Sequence, residues 1–123
     1  MILVDTSVWI DHLRQGEAGL AEALNAGRVR VHPFVIGELA LGSLRQREVV
    51  LGALMDLPRV EVATDEEVFA FIEDERLFSL GIGFVDAHLL AALRLTPGAF
   101  LWTRDRRLSA VADRLRLGMK WAQ

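Results

Sequence analysis

From end to end the chain alternates short apolar runs with longer stretches of helical periodicity. Residues 2–4 (ILV) are uncharged and too few for a helix, as in a strand buried on both faces. Ser7–Arg14 and Ala18–Asn25 follow as two predicted helices, the second closed by Gly27. Val29–Val31 is the next strand. Pro33 suits a first helical position and opens a helix to about Leu44, with a further amphipathic segment at Arg45–Met55 that Pro58 ends. Arg59–Val62 reads as a third strand, and Thr64 with Glu67 forms the pattern of a capping box opening a helix through about Phe78. Gly81 and Gly83 mark a turn before a helix at Phe84–Leu95, and Pro97 and Gly98 mark another. A strand at Phe100–Thr103, a helix at Asp105–Leu115 and a short strand near Met119–Trp121 complete the series. Such alternation predicts a single domain over residues 1–123, a three-layer α/β/α fold with a central, mainly parallel sheet.

Three of the apolar segments are each interrupted by one carboxylate: Asp5 in MILVDTSVWI, Glu38 in PFVIGELALGSL and Asp86 in LGIGFVDAHLLAAL. Taking an ionised carboxylate out of water costs several kcal/mol unless it is paired or meets a cation, so folding alone does not account for three of them. Asp5 follows the first strand, and Asp105 follows the strand that ends at Thr103. In a parallel sheet both emerge at the same carboxyl edge, where α/β folds bind ligands. Asp86 falls in the first turn of its helix, where free N–H groups favour an anion. Glu38 lies in a helix that is apolar almost all round, which predicts a carboxylate carried inward.

Composition narrows the chemistry. At 123 residues, 52% hydrophobic and 25% charged, the chain is sized for one core. No apolar run reaches the roughly 18 residues that span a bilayer, and no basic leader precedes the first strand, so the expected location is the cytoplasm. Zero cysteines exclude disulfides, thiolate metal sites and cysteine nucleophiles. Charge is uneven: residues 1–93 carry 7 Lys+Arg against 15 Asp+Glu, and residues 94–123 carry 7 against 2. A basic segment beside acidic ligands suits a phosphate-bearing substrate, with an ordinary solvated helix face as the alternative.

Four carboxylates converging on one pocket repel one another unless a cation sits between them. All-oxygen donors select a hard ion, Mg²⁺ or Mn²⁺, over zinc. Bound to one or two such ions, water becomes a nucleophile suited to phosphodiester hydrolysis. His12, His32 and His88 stand singly, without ligand spacing, and read as a surface residue, a pre-helix residue and a packed helix residue. Gly81 and Gly83 lack the third glycine or lysine of a phosphate loop.

MILVDTSVWI, GELALG, GFVDAHLLAA and LWTRDRRLSAV, in that order and across nearly the whole chain, resemble the PIN-domain ribonucleases, in particular the VapC-type toxins of prokaryotic toxin–antitoxin pairs. The resemblance implies metal-dependent endonucleolytic cleavage of RNA, with Asp5, Glu38, Asp86 and Asp105 as the metal-binding quartet. It makes Thr103 an assisting catalytic hydroxyl, and puts Thr6 and Ser7, beside the first acid, on the substrate side. Arg104 and Arg106 are the expected phosphate contacts, with Arg107 next to them. Leu108 and Ser109 stand where some relatives carry one more acid, so the ion count stays at one or two. The resemblance further implies a homodimer and a small antitoxin that lays an apolar helix in a groove. Trp9 and Leu13 are the candidates for that groove, with plain core packing as the alternative.

Other classes fit less well. A phospho-receiver domain needs adjacent acids after strand one, where Thr6 and Ser7 follow Asp5, and a haloacid-type phosphohydrolase needs Asp where Ser7 stands. A non-catalytic module that binds RNA or protein on the same fold remains the alternative function, against which the intact acid set argues.

Overall fold

The computed structural model describes residues 1–120. Three short parallel strands, β1 (Ile2–Val4), β2 (Val29–Arg30) and β3 (Phe100–Trp102), form a sheet in the order β2-β1-β3. Ile2, Leu3 and Val4 are all buried although alternate side chains point to opposite faces, so β1 is covered on both sides. Its register is Ile2 against Val29 and Phe100, and Val4 against Trp102. Single parallel bridges extend the sheet at both edges, Val31 to Arg59 on one side and Leu101 to Gly118 on the other. The third expected strand, Arg59–Val62, is thus reduced to one bridge. The last is likewise reduced to the single bridge at Gly118, beside which the Met119 N–H donates to the Leu101 carbonyl at 2.8 Å; Trp121 lies outside the described residues.

Seven helices occupy the intervals among the described residues: α1 (Thr6–Gln15), α2 (Ala18–Asn25), α3 (Pro33–Ala40), α4 (Arg47–Asp56), α5 (Asp65–Asp74), α6 (Phe84–Leu95) and α7 (Arg106–Arg114). In α6 every residue from Ala87 to Leu93 is buried, the pattern of a helix enclosed on all sides. Helix α7 is instead amphipathic, burying Leu108, Val111 and Ala112 and leaving its arginines outside. No helix among the described residues is long and apolar enough to cross a membrane.

Where the expected helix ends miss, local closure explains the difference. Helix α5 stops at Asp74, short of the expected Phe78, because Arg76 turns left-handed (φ 54°) and the Leu77 N–H folds back to the Ile72 carbonyl at 2.9 Å. Helix α7 ends the same way, with Arg116 at φ 62° and Leu117 donating to Ala112 at 2.8 Å. In both, a buried leucine after the turn draws the chain back onto the core and outweighs the strain of a left-handed arginine. Helix α3 ends at Ala40, short of Leu44. There Arg47 donates to the carbonyls of Ala40 and Gly42, at 2.5 and 3.3 Å, and holds the chain in a loop.

His32 opens α3 as its cap: its Nδ1 accepts the Phe34 N–H at 3.0 Å. The ring is fully buried, and its Nε2 finds no hydrogen-bond partner among the described residues. Burial first, and then the proximity of His88 and Arg59, lower its pKa from 6.5 to about 4. The folded protein therefore keeps His32 neutral while the unfolded chain takes up a proton below its ordinary pKa. This contribution to stability is fully present above about pH 6.5 and is lost as the pH falls toward about 4, by on the order of 3 kcal/mol. Urea titrations between pH 7.5 and 4 should show that loss in the wild type, and a smaller one in His32→Asn, whose amide oxygen can still cap α3.

Candidate functional site

Asp5 directly follows β1, and its N–H donates to the Trp102 carbonyl at 2.9 Å, carrying the β1–β3 ladder one residue past the strands. It occupies the cap position of α1 yet makes no side-chain cap. Its Oδ2 instead accepts two hydroxyls, Ser7 Oγ at 2.8 Å and Thr103 Oγ1 at 2.7 Å. Asp5 has only 7% of its surface exposed, and the two hydroxyls take the place of the water its Oδ2 has lost. Ser7 Oγ also accepts the Arg104 N–H at 3.1 Å, and Thr103 Oγ1 the Asp105 N–H at 3.0 Å. The two hydroxyls thus fasten α1, β3 and the turn into α7 to a single carboxylate oxygen.

The other acids follow the same rule. Asp105 caps α7, its Oδ1 accepting the N–H groups of Arg107 and Leu108 at 2.9 and 3.1 Å. Asp86 Oδ2 accepts the Gly83 N–H at 2.9 Å at the start of α6. Glu38 Oε1 accepts Thr6 Oγ1 at 2.7 Å, which ties α3 to α1. Each of the four carboxylates therefore has one oxygen fixed by the protein. The second oxygens, Asp5 Oδ1, Glu38 Oε2, Asp86 Oδ1 and Asp105 Oδ2, accept no hydrogen bond among the described residues.

The charges of the other three acids reach Asp86. The Asp86 carboxyl is raised above its usual pKa of 3.8, foremost by burial. The Gly83 N–H opposes that, and the charges of Asp5, Asp105 and Glu38 add to it. As placed, no three acidic or histidine side chains among the described residues stand close enough together to hold a metal ion. Free, hard oxygens on mutually repelling carboxylates fit Mg²⁺ or Mn²⁺, which bind through few direct carboxylates and keep several waters.

Two expectations change. Glu38 is exposed, not carried inward, because Val35, Ile36 and Leu39 form the buried stripe of α3 while Phe34, Gly37 and Glu38 line the outer one. Arg104 is no free phosphate contact. Its guanidinium pairs with Asp11 at 2.6 Å and Glu17 at 2.5 Å, neutralising it and bracing the post-β3 turn against α1 and the start of α2. Nothing in sequence could link Arg104 to acids 93 and 87 positions away. Arg106 is exposed and makes no ion pair among the described residues. Arg107 lies across Gly81, where an added Cβ would stand 2.7 Å from its side chain, and φ +80° makes that turn favour glycine. Arg107 so braces the entry to α6 against α7. Of the histidines, His88 packs between Phe34 and Phe84 as expected, whereas His12 accepts the Glu17 N–H at 3.1 Å and so forms part of the α1–α2 turn.

Comparison with known proteins gives a consistent result. The profile of the PIN domain matches residues 2–114. The chain is 53% identical over 110 residues, 89% of its own length and 89% of the relative's, to Ribonuclease VapC32 of Mycobacterium tuberculosis strain CDC 1551 / Oshkosh. It is equally similar to the protein of the same name from strain ATCC 25618 / H37Rv.

The raised Asp86 pKa has a direct consequence for stability. At neutral pH the ionised carboxylate opposes folding, and the cost is relieved as pH falls through its raised pKa toward the ordinary value. Asp86→Asn keeps an oxygen for the Gly83 N–H and removes the charge. In EDTA at pH 7 it should therefore unfold at a higher urea concentration than the wild type, and the difference should shrink toward pH 4.

Proposed function

This chain belongs to the PIN-domain family, and we propose that it is a Mg²⁺- or Mn²⁺-dependent endoribonuclease, the toxin of a toxin–antitoxin pair. One observation carries the proposal: four carboxylates are each held by one oxygen and free at the other, with Asp5, Glu38 and Asp105 tied to the turns after β1 and β3 and Asp86 close enough to feel the charges of all three. The similarity to proteins named ribonucleases over nine-tenths of the chain supports it independently.

In this reading Asp5, Glu38, Asp86 and Asp105 hold the metal. A bound ion lowers the pKa of water and draws charge from a phosphodiester. The chain's own contribution is positional. Ser7 and Thr103 fix the rotamer of Asp5 and keep its outer oxygen turned away from their hydroxyls; Thr6 does the same for Glu38. Asp86, crowded by three like charges, gains most from a cation. The assignment of Thr6 and Ser7 moves from substrate contact to orientation, since both hydroxyls are spent on carboxylates. Arg106 takes the role of phosphate contact beside Asp105, and Arg104 that of a brace.

For the protein partner, an apolar cavity of about 220 Å³ between α1, α2 and α4 supports the antitoxin reading. Trp9, Leu13, Leu24, Val50 and Leu54 contribute to its lining, and the buried Trp9 Nε1 has no hydrogen-bond partner among the described residues. A helix laid there would cover apolar surface. The exposed, stacked rings of Phe69 and Phe84, with centroids 5.8 Å apart, are the natural contact for a second copy in a homodimer. An RNA substrate and a chain without cysteine both suit the cytoplasm.

Purified protein free of its partner should cut single-stranded RNA in Mg²⁺ or Mn²⁺ and cease in EDTA. Asp5→Asn should abolish cleavage while its circular dichroism stays that of the wild type; wild-type rates in that variant would sink the metal-site assignment. Thr103→Val removes one hydroxyl from Asp5 and the acceptor of the Asp105 N–H. It should lower kcat by roughly 10- to 100-fold and weaken metal affinity, a shift readable by Mg²⁺ titration of activity.

A further inference from the structure

An acid site that cuts RNA attracts its substrate poorly, and the basic side chains nearest to it are mostly committed. Arg104 pairs with Asp11 and Glu17, Arg107 lies over Gly81, and Arg47 is spent on the carbonyls of Ala40 and Gly42. Arg14 and Arg45 are placed differently. They line one cavity of about 290 Å³, with Ser43 beside them and Ile10, Leu13 and Leu39 also contributing to its wall. No carboxylate lines it, and neither guanidinium has an ion-pair partner among the described residues. Two cationic side chains and a hydroxyl on a concavity lined by no carboxylate offer an anion an unopposed positive wall.

The cavity is in register with the acids. Thr6, Ile10 and Arg14 are successive turns of one stripe of α1, and Thr6 is the residue that holds Glu38. Arg14 is therefore about 12 Å along α1 from that contact. The opposite wall continues from Glu38 through Leu39 to Ser43 and Arg45, just past the end of α3. That loop is fixed by the two bonds Arg47 makes to its carbonyls, so Arg45 projects from a held backbone.

We propose that Arg14, Arg45 and Ser43 form a phosphate subsite, which holds a backbone phosphate of single-stranded RNA a few nucleotides from the bond cut at the acids. The planar guanidinium forks and the Ser43 hydroxyl match phosphate oxygens. Ile10, 42% exposed, offers an apolar surface to the intervening ribose or base. This inference rests on the ribonuclease reading above and names how that site takes its substrate.

The test compares wild type with Arg14→Gln/Arg45→Gln in two ways. In the first, binding of a labelled single-stranded RNA of some twelve nucleotides is measured in EDTA across a range of salt. The expected result is an affinity lower by roughly tenfold and a log–log salt slope smaller by about 0.7, the value for one phosphate contact on a single strand. In the second, kcat and KM are measured in Mg²⁺ on that RNA and on a trinucleotide too short to reach the cavity. KM should rise for the long substrate alone, kcat should hold, and Arg14→Lys/Arg45→Lys should recover part of the loss. An unchanged affinity and salt slope, or an equal loss on the trinucleotide, overturns the subsite. A salt-dependent binding loss without cleavage by the wild type upholds the subsite and overturns the catalytic reading instead.

Discussion

A single carboxylate oxygen, Asp5 Oδ2, sets the geometry of the carboxyl edge of the sheet. Two hydroxyls from segments nearly a hundred residues apart converge on it, and each passes a further hydrogen bond on to the backbone of the turn that leads to Asp105. The arrangement answers a physical demand. Asp5 is almost fully buried, and an ionised carboxylate so placed costs several kcal/mol unless its lone pairs are met. Meeting them with hydroxyls and not with cations keeps the site's negative charge intact. An arginine in place of Thr103 would satisfy Asp5 better and neutralise the pocket. The one arginine that could intrude from the same turn, Arg104, is drawn away by Asp11 and Glu17.

The architecture was legible because apolar period and chain breakers agree. Buried ILV at the start, FLW before Asp105, and helices between glycines and prolines allow few folds other than a covered parallel sheet. The lone acids were legible for a related reason: a charge in an apolar run is conspicuous. Glu38 shows where that logic fails. Its helix is apolar in composition, yet the exposed stripe carries Phe34 and Leu41 alongside it, so hydrophobic neighbours in sequence did not mean a buried carboxylate. The end of α5 at a left-handed arginine was invisible, since the signal sought was glycine and the cause was a buried leucine one residue on. Long-range pairs such as Arg104 with Glu17 leave no local trace at all.

The fixed-and-free division of each carboxylate gives the site its chemical character. A carboxylate with both oxygens bonded to protein would be rigid but useless as a ligand; one with neither bonded would wander and lose entropy on binding a metal. Anchoring one oxygen removes most of that entropy cost during folding, when it is shared with a helix cap at Asp105, a helix start at Asp86 and a helix–helix tie at Glu38. The same bonds thus stabilise the scaffold and preorganise the ligands.

What the scaffold cannot remove is repulsion, and its distribution is informative. It appears at Asp86, the acid that burial already disfavours in its charged form and that feels all three others. In the proposed metal site a cation relieves that cost, which would couple metal binding to folding stability through Asp86. Arg106 stands exposed beside Asp105, and the other basic residues are arranged so as not to relieve it. Arg104 is turned aside by its own acids and Arg107 is laid over Gly81, while Arg14 and Arg45 converge on a cavity entered two turns of α1 away. Positive charge is kept close enough to steer a polyanion toward the site and far enough to leave the carboxylates for the metal.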